Sequence, residues 1–338
     1  MSKQLDLLAI GDITTDAFIK LQEASVHCDI NKDTCELCMR FADKIPYESV
    51  TVVRAVGNAP NAAVSAARLG LATGLVTNMG DDQNGKECQE VLQKEGIDTS
   101  YVAVHGGMET NYHYVLLYEA ERTILIKHEP YNYKLPVIEP PPRFVYLSSF
   151  RGNETYHNEM VVYLEKHPEV RVSFQPGKFE INLGYQKLKK LYENSDLFFC
   201  NKEESQKILG SQTTDVKTLL AGINLLGPRV VCITDGPKGA YAYDGRMNEY
   251  WFQPPYPDPK PPVSRTGAGD AFASTFTVAT ILGKSVKEAL RWAPINSAYV
   301  VQHIGAQKGL LTRAQLEKHL ASAPESYNPK KLEHNISV

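Results

Sequence analysis

The run Arg265-Thr266-Gly267-Ala268-Gly269-Asp270-Ala271-Phe272 has the clearest capacity for chemistry in this 338-residue chain. Glycines without Cβ let backbone N–H groups approach a ligand closely. The apolar stretch Ala273 to Leu282, closed by Gly283, reads as a helix whose N-terminus adds partial positive charge to that turn. Together they make an anion hole. A static phosphate would repel an aspartate placed there, so Asp270 makes sense as a base facing an acceptor hydroxyl. The Gly267, Ala268 and Gly269 backbone would then hold a moving phosphoryl group. The competing reading is a tight turn with Asp270 as a helix cap, and the other motifs decide between the two.

Asp12 and Asp16 bracket Ile13-Thr14-Thr15 after the first apolar run, where short polar side chains suit a polyol; Gly57, Asn58 and Asn61 add polar groups at a helix start. In Asn201-Lys202-Glu203-Glu204, Asn201 and Glu204 share one helix face, a spacing that suits water-mediated Mg²⁺ near phosphates and equally suits a helix cap. Gly80-Asp81-Asp82-Gln83-Asn84-Gly85-Lys86-Glu87 nearly spells a phosphate-binding P-loop. Glu87 stands where the magnesium-binding Ser or Thr belongs, however, so it reads as a turn and helix start. G-x-S-x-G, H-E-x-x-H and a complete G-x-G-x-x-G are absent, which argues against hydrolase, zinc-protease and dinucleotide-dehydrogenase chemistry.

These residues need a scaffold, and short apolar runs alternating with helical stretches supply one: an α/β fold with a mostly parallel sheet and helices on both faces. Strands are expected at Leu5 to Ile10, Gly74 to Asn78, Phe144 to Ser148, Val170 to Phe174, Leu197 to Cys200 and Val230 to Thr234. Each is followed by polar or glycine-rich residues, where such sheets place their ligands. Thr51 to Val56 and the pair Tyr112 to Tyr118 and Thr123 to His128 read as strands with no intervening helix, an added β layer that is either a lid or an ordinary edge hairpin.

The order of Gly57 to Asn61, Gly80 to Asp82, Asn201 to Glu204, Thr234 to Gly239 and Thr266 to Asp270 resembles the ribokinase-like (PfkB) carbohydrate kinase family, from about Leu5 to Leu320. The resemblance implies a three-layer α/β/α sandwich at 1–325 and a β-sheet lid from about 14–56 and 108–134, while the terminal position of 326–338 makes a loosely held tail the expectation there. It implies an ATP-dependent kinase of a small sugar, with Asp270 as base and Gly267, Ala268 and Gly269 as anion hole. Asn201 and Glu204 would organise Mg²⁺. Asp12, Asp16, Gly57, Asn58, Asn61 and Gln175 would meet the acceptor; Asn201, Thr234, Asp235, Gly236, Gly239, Thr266, Asn296 and Ala306 would meet ATP. The family commonly uses a monovalent cation beside the anion hole, which makes K⁺ a candidate. Lids of this kind often pair between subunits, so a homodimer covering Val115, Leu117, Ile124 and Ile126 is expected. Val56 replaces a second glycine, Thr14 stands where ribokinases have Asn, and Gln175-Pro176-Gly177 replaces an acidic pattern; all three changes touch acceptor choice. A nucleoside kinase of the same fold is the alternative, and an open apolar pocket beside Asp16 would favour it. A non-catalytic sugar- or nucleotide-binding protein ranks below both.

With net charge -3 and pI near 6.3 the chain offers no footprint for a nucleic acid. No leader pattern and no run of roughly 20 apolar residues marks it for export or a membrane, so a cytoplasmic place is expected. The six cysteines are sparse, and reduced thiols are expected. Cys28, Cys35 and Cys38 with His27 form either a zinc site or three packing or surface cysteines.

Overall fold

The computed structural model describes residues 4–29, 35–119, 121–151 and 154–333. The chain opens with β1 (Leu7–Ile10), β2 (Thr14–Leu21), β3 (Ser25–Cys28), β4 (Cys35–Cys38) and β5 (Tyr47–Val56). Then come α1 (Asn58–Arg68), β6 (Thr73–Gly80), α2 (Gln83–Lys94), β7 (Val102–His105), β8 (Tyr112–Tyr118) and β9 (Glu121–Lys127). The middle runs β10 (Phe144–Leu147), α3 (Glu154–Lys166), β11 (Arg171–Phe174), α4 (Lys178–Leu183), α5 (Tyr185–Glu193), β12 (Leu197–Asn201), α6 (Lys202–Leu209), α7 (Val216–Leu225) and β13 (Val230–Thr234). The last part is β14 (Ala240–Asp244), β15 (Glu249–Gln253), α8 (Ala268–Ile281), α9 (Val286–Val300), α10 (Arg313–Ala321) and β16 (Lys330–Leu332).

Ten strands form one sheet in the order β16-β15-β14-β13-β12-β11-β10-β1-β6-β7, parallel from β7 to β13 and antiparallel beyond. Strands buried on both faces read as continuous apolar runs, as Leu7 to Ile10 does. Leu7 and Ala9 point into the core shared with α1, α8 and α9, whereas Leu8 and Ile10 point into the core shared with α3, α5 and α7. The expected sandwich is therefore present. From β1 the chain first builds outward through β6 and β7, then returns to lay β10 on β1's other side. Connections leaving in opposite directions open a crevice at the strand ends, and it falls between β1 and β10.

A second sheet, β5-β2-β8-β9, draws its strands from 14–56 and 112–127. Val115 is buried in it, against expectation, because it shares a face with buried Phe18; Ile124 and Ile126 are exposed.

The β3–β4 hairpin sets Cys28 directly opposite Cys35, and the two form a disulfide. The expectation of reduced thiols is corrected at these positions: cross-strand opposition, invisible in the spacing, brings the two Cβ atoms within bonding range. With two of its sulfurs joined to each other the zinc site loses its ligands, and no group of three or more His, Cys, Asp or Glu among the described residues could hold a metal. The tail is also corrected through residue 333. β16 pairs with β15, and buried Tyr327 donates to the Arg291 carbonyl at 2.7 Å and accepts on its own carbonyl from Gln253 Nε2 at 2.6 Å. Residues 334–338 lie outside the described residues. No helix among the described residues is long and apolar enough to cross a membrane.

Candidate active site

Two helix N-termini meet at the β1–β10 crevice. α1 starts at Gly57, whose φ of 128° and position 2.4 Å from the Asp12 carbonyl (for a Cβ) exclude any other residue. α8 starts at Gly267, with φ 82° and a would-be Cβ 2.3 Å from that of Ala306. Neither helix has a side-chain cap at its start, so no side chain there competes with a ligand for the first N–H groups. Asp270 stands in the first turn of α8, where negative charge is favoured by the helix dipole.

Three amide side chains converge on the half-buried Asp270. Asn58 Nδ2 donates to its Oδ1 at 2.9 Å, Gln175 Nε2 to the same oxygen at 3.2 Å, and Asn61 Nδ2 to its Oδ2 at 2.8 Å. Two of the three amides are oriented from behind. Gln307 Nε2 donates to Asn61 Oδ1 at 3.0 Å, and the Tyr146 hydroxyl donates to Gln175 Oε1. Burial pushes the Asp270 carboxyl above the usual range, while the amide donors, Asn61 first, and the Arg122 guanidinium on β9 pull it partway back. The result is a carboxylate fixed in direction and poised to take a proton. Gly269 has nothing within 3.8 Å of where a Cβ would stand, so open space lies in front of the turn.

On the small-sheet side, Asp12 is committed: Tyr133 Oη donates to Oδ1 and the Arg151 N–H to Oδ2, both at 2.8 Å. Asp16 Oδ1 is buried without an aligned hydrogen bond, 3.3 Å from His113 Nδ1. His113 in turn meets His128 across two Nε2 atoms 3.3 Å apart, and Phe179 packs edge-on to His128 with ring centroids at 5.5 Å.

On the opposite side, Asn201 and Glu204 form a reciprocal cap: Glu204 N–H donates to Asn201 Oδ1 and Asn201 N–H to Glu204 Oε2, each at 2.8 Å. Burial, with the charge of Asp270 nearby, raises the Glu204 carboxyl. Two half-buried carboxylates that feel one another, with no salt bridge to either among the described residues, fit a divalent cation with phosphates beside it. Thr234 ends β13, and the turn after it holds Gly236 and Gly239 at φ 51° and 106°, with Asp235 3.7 Å from Lys202 Nζ. Thr266 accepts from Ser264 Oγ at 3.0 Å. Ala306 packs against Gly267.

Asn296 is a correction. It is fully buried, donating to Thr275 Oγ1 at 2.9 Å and accepting from the Leu311 N–H at 2.9 Å, so it ties α8 and α9 together and presents nothing to a nucleotide. The Gly80 stretch is the turn its composition suggests. Asp82 caps α2, accepting from Gly85 N–H at 2.8 Å and Thr110 Oγ1 at 2.6 Å. Tyr146, Gln307, His113 and His128 were missed: each is one polar residue in an apolar or mixed segment, and only pairing between distant strands and loops brings it to the site.

Comparison with known proteins accords with this geometry. The family model described as pfkB family carbohydrate kinase matches residues 20–313. A nucleoside kinase of Methanothermobacter thermautotrophicus is 25% identical, covering 97% of this chain and 99% of its own. A ribokinase of Bacillus subtilis is 28% identical over 78% of this chain and 87% of its own. The structure of Arabidopsis thaliana ribokinase complexed with ribose and ATP superposes with a TM-score of 0.78 at 21% identity, covering 94% of this chain and 99% of that one.

Proposed function

The chain belongs to the pfkB family of carbohydrate kinases, and we propose on that premise that it transfers the γ-phosphoryl group of ATP to a hydroxyl of a small sugar, with Asp270 as general base. The observation that carries this reading is the Asp270 carboxylate held by Asn58, Asn61 and Gln175 at an uncapped helix start. Three donors leave it a lone pair for the acceptor's proton. As that proton moves to Asp270, the hydroxyl oxygen attacks in line. The Gly267 to Gly269 backbone N–H groups take up the charge of the group in flight, at no cost in reorganisation. Asp16 accepts from an acceptor hydroxyl, and Gly57 lets the backbone approach it.

Thr234, Asp235, Gly236, Gly239 and Thr266 lie along the nucleotide. Asn201 and Glu204 would hold Mg²⁺, which would neutralise phosphate charge. K⁺ would add positive charge beside the anion turn, and the chain would work in the cytoplasm. The small sheet is the lid, excluding water from the acceptor. A homodimer would cover its exposed Ile124, Ile126, Leu125 and Tyr114; light scattering at micromolar concentration giving the 37.6 kDa monomer mass would overturn the dimer.

A nucleoside acceptor is the second reading. It is favoured by Phe179, an apolar ring 39% exposed that packs on His128, with His113 standing between His128 and Asp16. The test is ATP consumption over a panel of sugars and nucleosides with Mg²⁺, with and without K⁺. Turnover of free sugars at the highest kcat/KM supports the first reading, turnover of nucleosides the second, and no acceptor-dependent turnover removes both.

A further inference from the structure

Two histidines that the transfer chemistry leaves unused stand where the small sheet joins the main body. His113 lies in register with Asp16 on the neighbouring strand, its Nδ1 3.3 Å from Asp16 Oδ1. Its Nε2 is 3.3 Å from Nε2 of His128, and Nδ1 of His128 is 3.2 Å from Asp12 Oδ2. The two side chains are only 14% and 10% exposed. A line of carboxylate, imidazole, imidazole and carboxylate thus runs from the small sheet to the end of β1. Its links at Asp16 Oδ1 and His128 Nδ1 are close in distance but not aligned as hydrogen bonds.

Counting protons shows what this line needs. It has three junctions. For all three to close as hydrogen bonds, each Nδ1 that faces a carboxylate donates, and one of the two facing Nε2 atoms donates to the other. That makes three protons on four ring nitrogens, one more than two neutral imidazoles hold. With two, one junction sets lone pair against lone pair in a buried place, where an unmade hydrogen bond is costly.

We propose that His113 and His128 are positioning residues that share one extra proton, and so hold the acceptor carboxylate Asp16 in register with Asp12 across the root of the small sheet. This rests on the reading that Asp16 meets the acceptor.

The surroundings favour a positive charge between the two carboxylates. Tyr133 and the Arg151 N–H donate to Asp12, and the Arg151 guanidinium is turned to the His128 carbonyl at 3.0 Å. Glu180, buried on α4, adds negative potential toward Asp12 when ionised, and burial pushes its carboxyl up to about 7. Glu129 is paired with Lys127 at 3.0 Å, and Arg54 is engaged by Glu87. Tyr112 and Tyr156 are neutral phenols, raised by burial. Without the extra proton the line carries a second negative charge and one junction opens, so acceptor binding weakens while ATP binding does not.

The test uses the full chain labelled with ¹⁵N-histidine, titrated from about pH 5 to pH 9. The expected result is that the His113 and His128 side-chain signals move in coupled steps, and that His128→Asn shifts the His113 titration. Independent titration of the two rings, in wild type or with His128→Asn leaving His113 unmoved, overturns the proposal whatever the enzyme phosphorylates. Kinetics supply the second arm. His128→Asn and His113→Asn are each expected to raise the acceptor KM about tenfold, with kcat and the ATP KM within about twofold, and to flatten the alkaline rise of acceptor KM. Coupled rings with an unchanged acceptor KM also overturn it. Coupled rings in a protein that phosphorylates no acceptor instead remove the kinase reading and leave the proton-sharing line standing.

Discussion

The starts of α2 and α8 contain the same ingredients, glycines and an aspartate after a polar or glycine-rich turn, and use them in opposite ways. At α2 the aspartate is the cap: Asp82 accepts from Gly85 N–H and from Thr110, which closes the helix end on the protein itself. Burial pushes the Asp82 carboxyl up, but the bonds from Thr110 and Gly85 outweigh it and leave it lowered. Its glycines are packed, with would-be Cβ atoms 2.1 Å from the Met108 carbonyl at Gly80 and 2.2 Å from the Gly80 carbonyl at Gly85. At α8 the cap position is Gly267, which has no side chain to spend, and Asp270 sits three residues further on. The space before Gly269 is open, and burial raises the Asp270 carboxyl. A helix start closed by its own aspartate and packed glycines is structural; one with no side-chain cap and open space before its turn has room for a ligand.

The sharpest way to break that contrast is to add one methyl group at each site. Gly269→Ala places its Cβ in the open space, so kcat is expected to fall about 10² to 10³, the loss typical of a displaced oxyanion donor, with the melting temperature unchanged or higher. Retained turnover would mean that the space is not where the phosphoryl group passes. Gly85→Ala should do the reverse. It forces Cβ against a backbone carbonyl and costs about 1 to 3 kcal/mol in chemical denaturation, while the folded fraction keeps its turnover. Asn61→Ala removes the donor that most lowers the Asp270 carboxyl. A tenfold drop in kcat, about 1.4 kcal/mol, is expected, together with an acid limb moved to higher pH, because the base is then protonated sooner as pH falls.

The smallest effect belongs to Asp82→Asn: about 0.5 to 2 kcal/mol of stability and activity within about threefold. Its folded carboxyl is lowered, so its ionic contribution is complete above the ordinary aspartate value and is lost as pH falls through the lowered one. The stability gap between wild type and variant should therefore hold at neutral pH and close only in acid.

The turn at the start of α8 was legible because glycine spacing, an aspartate and a helix start are all local, and so was the alternation that builds the main sheet. What escaped depends on long-range pairing. Nothing local in Thr14 to Leu21 names its partner: β8, nearly a hundred residues on, pairs with it in parallel, and that pairing turns His113 from a lone histidine into Asp16's neighbour. Cys28 and Cys35 could not be matched without the hairpin between them. Asn296 was misplaced because burial in a helix core is not written in an asparagine's identity. Tyr327 held a tail that position alone made look free.

The central claim, that Asp270 takes the proton while the α8 turn holds the phosphoryl group, is tested most directly by single-turnover transfer from γ-labelled ATP in Asp270→Asn, with ATP binding measured on the same protein. The account predicts an ATP Kd within about twofold of wild type and transfer slowed by about 10² to 10⁴. Transfer within threefold of wild type would contradict it.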